Sequence, residues 1–210
     1  MGRKEELMTY LQKAMHQPIA GMDKFPLAQF NDLEQQFGTT DFTTLPGNPK
    51  YEELVRRGMI LGYNEERKYN GHPFGQHWGI DILSPPGTLV TAALGGEVID
   101  TRSICDRRAE FFNFSYGNYV VLEAMYEKKP IFVLYAHLGD LEHRFEIGQR
   151  LARDEPLGVI GEGFTHENGG WPPHLHFQVA TAVFGVSAYA PDLEALTLNP
   201  EDIFGIRPKS

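Results

Sequence analysis

Two histidines separated by a single residue, His174 and His176, sit in the run HLHFQVA, where Leu175, Phe177 and Val179 alternate with more polar positions. Side chains alternate faces along a strand, so this spacing puts both imidazoles on one face and sends the apolar set into a core. Two imidazoles side by side can both reach one metal ion, or one can bind it while the other meets a substrate. Upstream, His77 and Asp81 share the stretch HWGIDI at an even spacing, which again gives one face on an extended backbone. The glycine and β-branched residues around Asp81 favour a strand over a helix. A histidine, a carboxylate and one further histidine make a three-ligand site with a fourth position open, the arrangement of a catalytic zinc ion. His137 closes the apolar run IFVLYAH, where packing alone would call for a neutral apolar residue. A histidine there can hydrogen-bond a metal-bound water or a developing oxyanion.

Taken singly, HxH and HxxxD are weak motifs that match by chance. In order, and separated by strands, they are far more specific. The helical HExxH motif is absent, because His166-Glu167 is followed by Gly170 where a second histidine would be needed. A cupin-type site would place a carboxylate soon after HxH, and Gln178, Val179 and Ala180 stand there instead. Tyr69 precedes the first motif and is a candidate oxyanion donor. His16, His72, His143 and His166 read as surface or loop histidines. Trp78 and Trp171 flank the motifs, either walling a groove or filling core. Cys105 reads as a small buried residue, and Asp106-Arg107-Arg108 as a solvated turn.

The elements that must position these residues are short. From about Tyr69 onward, β-rich runs at 79–83, 89–93, 97–101, 118–125, 131–137, 157–160 and 174–180 are broken by Pro85-Pro86-Gly87, Gly95-Gly96, Gly169-Gly170 and Pro172-Pro173. Closely spaced strands without intervening helical patterns predict an antiparallel sandwich or barrel-like sheet. The first third differs. Leu7, Leu11 and Met15 recur at helical spacing, and Leu27, Phe30, Leu33 and Phe37 repeat the pattern. Asn48-Pro49 starts a further helix through Arg57, with Asn48 as cap and Gly58 just past the end. Residues 1–68 therefore read as a small helical segment. Its apolar stripes must be buried against the β part, either beside the site or on a remote face.

The chain has 210 residues, 41% of them hydrophobic and 12% aromatic, enough for a packed core without disulfides. Gly and Pro, at 22 and 14 residues, exceed the usual share and favour turns and short strands over a helix bundle. With 19 basic against 28 acidic residues the net charge is −9, which disfavours nucleic-acid binding. A single cysteine excludes an internal disulfide framework and any multi-cysteine zinc site. No apolar stretch is long enough for a transmembrane segment. The N-terminus carries charges where a signal peptide needs an apolar run, so the chain as written reads as cytoplasmic unless a leader has been trimmed. Oligomeric state is not legible.

Taken in order, these motifs resemble the M23 (lysostaphin/LytM-type) zinc metallopeptidases, which cut peptide cross-links of bacterial cell walls. The resemblance rests on HWGIDI at 77–82, PPGTLVTAALGGEV at 85–98, YGNYVVLE at 116–123, YAHL at 135–138, LGVIG at 157–161 and PPHLHF at 172–177, and spans about residues 69–204. It implies that His77, Asp81 and His176 are the ligands of Zn2+, and that His137 and His174 are the catalytic histidines. It further implies a mainly β fold, an antiparallel, sandwich-like peptidase domain over 69–210; the helical segment 1–68 lies outside the resemblance. The expected partners are peptidoglycan peptides, hydrolysed by a metal-activated water. Family members are usually periplasmic or extracellular. A non-catalytic peptidoglycan-binding or activator module of the same fold is the alternative, and the five intact positions count against it. A metal-binding sandwich acting on a small molecule is a third reading. Three departures stand out: Gln178 where members often read HLHFE, a long aromatic stretch from Ser103 to Tyr116, and no visible export signal where most members are exported.

Overall fold

The structure is a computed structural model that describes residues 3–28, 33, 36–37, 45, 47–69, 72–102, 116–139, 145–182 and 196–206. Its frame is a nine-stranded sheet. In chain order the elements are α1 (Arg3–Ala14), β1 (Leu27–Ala28), α2 (Pro49–Arg57), β2 (Met59–Leu61), β3 (Glu65–Tyr69), β4 (His72–His77), β5 (Ile80–Leu83) and β6 (Leu89–Thr91). They continue with β7 (Gly96–Arg102), β8 (Asn118–Tyr126), β9 (Lys129–Leu138), β10 (Arg150–Leu151), β11 (Pro156–Val159), β12 (His174–Ala180), β13 (Thr197–Leu198) and α3 (Pro200–Phe204). The main sheet runs β1-β2-β5-β12-β9-β8-β7-β10, with β13 paired to β12 beside this path. All of its pairings are antiparallel except β1 with β2. Two small antiparallel pairs, β3–β4 and β6–β11, stand apart from it.

The strands predicted from alternation are all present, most with ends shifted by a residue or two, and β12 falls on the expected residues. Strand parity then divides the sheet into two faces. Ile80 and Ile82 of β5, Leu175, Phe177 and Val179 of β12, and Ile131, Val133 and Tyr135 of β9 share the large core. Leu11, Met15, Ile19 and Met22 join the same core, so α1 and the turn after it lie on that face. The opposite face carries Asp81, His174, His176 and Gln178, flanked by two smaller apolar clusters. One gathers Leu33, Leu45, Tyr51, Val55, Met59, Leu61 and Leu83 around Phe164 and Trp171. The other is Val121, Phe132, Leu134 and Ala136, with Tyr116 and Tyr119.

The first third departs from the helical reading. α1 and α2 form as expected, and α2 has its caps: Asn48 Oδ1 accepts from the Lys50 N–H at 3.0 Å, and Gly58 follows at φ 77°. A Cβ at Gly58 would sit 2.4 Å from the Phe25 ring, so the turn needs glycine for both its backbone angle and its packing. Leu27–Ala28, expected to begin a helix, is instead strand β1 against Ile60–Leu61. Leu33, Gln36 and Phe37 are helical, while Phe30 lies outside the described residues. Met59–Leu61 is strand β2, whose Leu61 stands opposite Asp81 of β5. Sheet pairing overrides local helical spacing here: β2 covers the edge of β5, and β1 covers that of β2. The segment is thus split between faces: α1 on the core face, α2 beside the face that carries the polar cluster. Of the other residues singled out, Trp78 is buried core against Tyr63, whereas Cys105 and Asp106-Arg107-Arg108 lie outside the described residues.

This division gives a direct expectation. Leu11 is fully buried in the main core, so Leu11→Ala should lower stability by about 2–5 kcal/mol through lost burial and a residual cavity. The change is remote from the polar cluster, so any activity should keep its kcat/KM. Denaturant melts and steady-state assays on the same preparation check both halves.

Candidate metal centre

Asp81 and His176 are register partners on neighbouring strands, β5 and β12. His77 enters from the end of β4, immediately before the Trp78-Gly79 turn into β5. Strand pairing and one short turn therefore bring together the three donors that even spacing had suggested. Their ligand atoms all lie within 4.8 Å of one another, and all three residues are buried. His77 Nε2 is 3.0 Å from His176 Nδ1, which is 2.9 Å from Asp81 Oδ1, and His77 Nε2 is 3.3 Å from the same oxygen. His174 adds its Nε2 at 3.6 Å from Asp81 Oδ1.

The outward contacts of the rings fix which nitrogen is bare. His174 Nδ1 lies 2.7 Å from the Pro172 carbonyl oxygen, and His137 Nδ1 lies 2.8 Å from that of Asn168. A carbonyl can only accept, so in both neutral rings Nδ1 donates and Nε2 keeps its lone pair. His176 is turned the other way. Its Nε2 donates to Gln178 Oε1 at 3.2 Å, leaving Nδ1 as the donor atom toward Asp81 and His77. A ligating histidine characteristically has its other nitrogen anchored in this manner. Gln178 supplies the anchor without a charge.

His137 reaches the cluster by an irregularity. Parity with Tyr135 would aim it into the main core, yet its φ is 65° and the β8–β9 register steps from Ala136 to Leu138 across it. This is a bulge, and bulges re-aim side chains beside functional sites. The left-handed conformation of a non-glycine residue is held by neighbours: the His137 N–H donates to Tyr116 O at 2.9 Å, and its carbonyl accepts from the Gly161 N–H at 3.0 Å. The ring then lies 4.3 Å, centroid to centroid, from that of His174.

Burial dominates the electrostatics. It lowers the His77 pKa to about 3, with the nearby Arg67 charge acting in the same direction. Burial also lowers His174, and takes His137 well below its ordinary value, so both rings are neutral bases at pH 7. For Asp81, burial alone would raise the carboxyl. The Arg67 guanidinium and then His77 outweigh it and hold the group well below the carboxylate range. A carboxylate and two imidazole nitrogens facing one point have more lone pairs than protons to share, and a cation resolves that conflict.

Sequence reasoning had no signal for Arg67, whose Nη1 donates to Asp81 Oδ2 from β3, nor for the Asn168 and Pro172 carbonyls, which any residue could provide. Tyr116 lies 5.6 Å from the His176 ring. The side chains of Tyr69, His72 and His143 lie outside the described residues. His16 is exposed on the far side, 2.9 Å from Asp154.

Comparison with known proteins adds three observations. The model of peptidase family M23 matches residues 75–187. No curated protein matches the chain in sequence. Among solved structures, the chain is similar to the catalytic domain of the antimicrobial peptidase lysostaphin from Staphylococcus simulans at 21% identity and TM-score 0.49, covering 73% of this chain and 96% of that one. Against the lysostaphin solution structure the figures are 21% and 0.47, with 70% of this chain and 49% of that one, so the chain spans about half of its length. A zinc-containing peptidase from Vibrio cholerae gives 23% and 0.44, covering 70% and 36%.

Gly79 offers a test of the donor geometry. A Cβ there would lie 2.6 Å from His176 Cε1 and 2.9 Å from the Phe177 carbonyl oxygen, so Gly79→Ala must push the ring from its place. The expected result is at least about ten-fold weaker metal binding with a stability loss of about 1–3 kcal/mol. Chelator competition and thermal melts read the two effects separately.

Proposed function

The chain belongs to peptidase family M23, and from that premise we propose that it is a zinc-dependent endopeptidase hydrolysing peptide cross-links of bacterial cell-wall peptidoglycan. The observation that carries this reading is the convergence of His77 Nε2, Asp81 Oδ1 and His176 Nδ1 beside two histidines whose Nε2 atoms are bare. Two imidazoles and a carboxylate suit zinc, and three protein ligands leave a coordination position open. His77, Asp81 and His176 are accordingly the proposed ligands, and His137 and His174 the proposed catalytic residues. We assign the peptidase unit to residues 69–210, with β1 and β2 of the preceding segment completing its sheet edge. The wall substrate is what membership of this family implies.

When bound, zinc supplies Lewis acidity, lowering the pKa of water to about 7 and polarising a carbonyl. The protein's own groups then manage the protons. In peptide hydrolysis, hydroxide adds to the carbonyl carbon and a proton must reach the departing amine. His137 and His174, neutral and with Nε2 bare, are placed to accept the proton from water and return it to that nitrogen. Once protonated, either imidazolium also donates to the developing oxyanion. Backbone carbonyls hold both rings on their Nδ1 side, so neither needs to reorient as its proton is gained or lost.

Three outcomes are expected. Purified protein should hold one zinc per chain, lost in His77→Ala. His137→Ala and His174→Ala should retain the metal and lose about 10²–10⁴-fold in kcat/KM on soluble wall peptides. Zinc-loaded wild type without hydrolysis, assayed by mass analysis of digested peptidoglycans, would instead mark a binding module. For pH, the sign follows from burial: a histidine whose pKa is lowered stays a free base to below its ordinary value of about 6.5. The acid limb of the kcat/KM profile should therefore fall below pH ~6.5, and a limb centred above that value would exclude these rings as the base.

A further inference from the structure

Arg67 comes from β3, ahead of the residues that the family model matches. The β3–β4 hairpin explains how it reaches the centre. Glu65 pairs with His77 and Arg67 with Gly75, so Arg67 and His77 project from one face of the hairpin, two residues apart along it. Both Arg67 and Asp81 are 5% exposed, and the guanidinium Nη1 donates to Asp81 Oδ2. The other oxygen, Oδ1, is the one that His176, His77 and His174 approach at 2.9, 3.3 and 3.6 Å. The two oxygens of one carboxylate are thus divided: one faces the imidazoles, the other is occupied by a cation that cannot lose its proton.

We propose that Arg67 is a positioning residue of the metal centre, holding Asp81 Oδ2 so that Oδ1 alone is offered to the metal. The proposal rests on the zinc reading above. Two consequences follow from the geometry. Asp81 becomes a one-oxygen ligand of fixed orientation, because rotation about its terminal bond would break the guanidinium contact. The carboxylate's charge is also shared with Arg67, so the metal keeps more of its own positive charge for a substrate carbonyl. Lysine could balance the charge from the same place, but its ammonium is a freely rotating point charge, whereas the guanidinium N–H that meets Oδ2 is fixed in the plane of the group.

The test compares the full-length chain with Arg67→Gln and Arg67→Lys, each verified as folded by circular dichroism. Zinc affinity is measured by chelator competition, and coordination by the visible absorption of the cobalt(II)-substituted protein. Arg67→Gln should bind zinc about 10–100-fold more weakly, with an altered cobalt spectrum as the released carboxylate turns toward two-oxygen ligation. Arg67→Lys should fall between Arg67→Gln and wild type in affinity and also show an altered spectrum. A purely structural arginine would change melting temperature while leaving the cobalt spectrum of the folded protein unmoved, and that result overturns the proposal. Tighter zinc binding in Arg67→Gln overturns it too, by making the arginine a competitor of the metal. Should Arg67→Gln not fold, Arg67→Lys decides alone: affinity and spectrum identical to wild type refute the role. Wild type that takes up no zinc would overturn the zinc reading and this inference together. Stoichiometric zinc that is indifferent to Arg67 overturns only this one.

Discussion

A strand in the middle of a sheet that is covered on both faces must satisfy two unlike environments with one sequence, and β12 is such a strand. All seven of its residues are buried. Leu175, Phe177 and Val179 fill the apolar core on one side, while His174, His176 and Gln178 have to find polar partners on the other. Polar groups buried this deeply are tolerated only when hydrogen-bonded or bound to a cation. The neighbours of β12 supply those partners: Asp81 from β5, the Pro172 carbonyl from the turn before the strand, and Gln178 from the strand itself. The two-residue period of one strand thus sets both where the core lies and where chemistry can occur.

Meeting that requirement places strain and charge where a packed sheet would otherwise have neither. His137 adopts a left-handed backbone conformation, which for a non-glycine residue is unfavourable by about 1–3 kcal/mol. Without it, parity with Tyr135 would send the imidazole into the apolar main core. The bulge is sustained by backbone hydrogen bonds to Tyr116 and Gly161, so segments on either side of the histidines fix the conformation that aims His137. The same segments deliver Asn168, whose carbonyl sets the tautomer. Orientation of the His137 and His174 rings is therefore a property of the backbone around them, and the side chains that surround the site contribute mostly apolar walls.

Much of this was legible because it depends on residue type and period. Alternation in HLHFQVA gave the strand and its two faces, and Asn48-Pro49 with Gly58 gave the limits of α2. HWGID named His77 and Asp81, but the turn at Trp78-Gly79 between β4 and β5, not one extended face, brings them together. The remainder depends on information a residue type does not carry. A carbonyl acceptor such as Asn168 or Pro172 leaves no mark in the sequence. The bulge at His137 breaks the parity on which strand reasoning rests, and Ala136-His137-Leu138 contains no glycine to announce it. The short strands β1 and β2 follow a helical spacing at Leu27 and an apolar triplet at Met59. The open edges of β5 and then of β2 decide their state. Arg67 was invisible for a further reason: a long side chain acts far from its own backbone, and no motif records its target.

The position of Arg67 also changes how the chain divides. A boundary near Tyr69 separates a region rich in family motifs from one that has none, yet the buried ion pair crosses it. Breaking such a pair by removing one partner is unfavourable by about 3–5 kcal/mol, because the remaining charge stays buried without its counter-charge. The backbone crosses the boundary as well, since Leu61 of β2 is the register partner of Asp81 on β5. Asp81 is thereby constrained twice from the N-terminal side, in its backbone by β2 and in its carboxylate by Arg67. A carboxylate held in this way would lose little freedom on binding a metal, which is the condition for a preorganised centre. The first third of the chain thus helps to build the centre, although no residue in it is a proposed ligand.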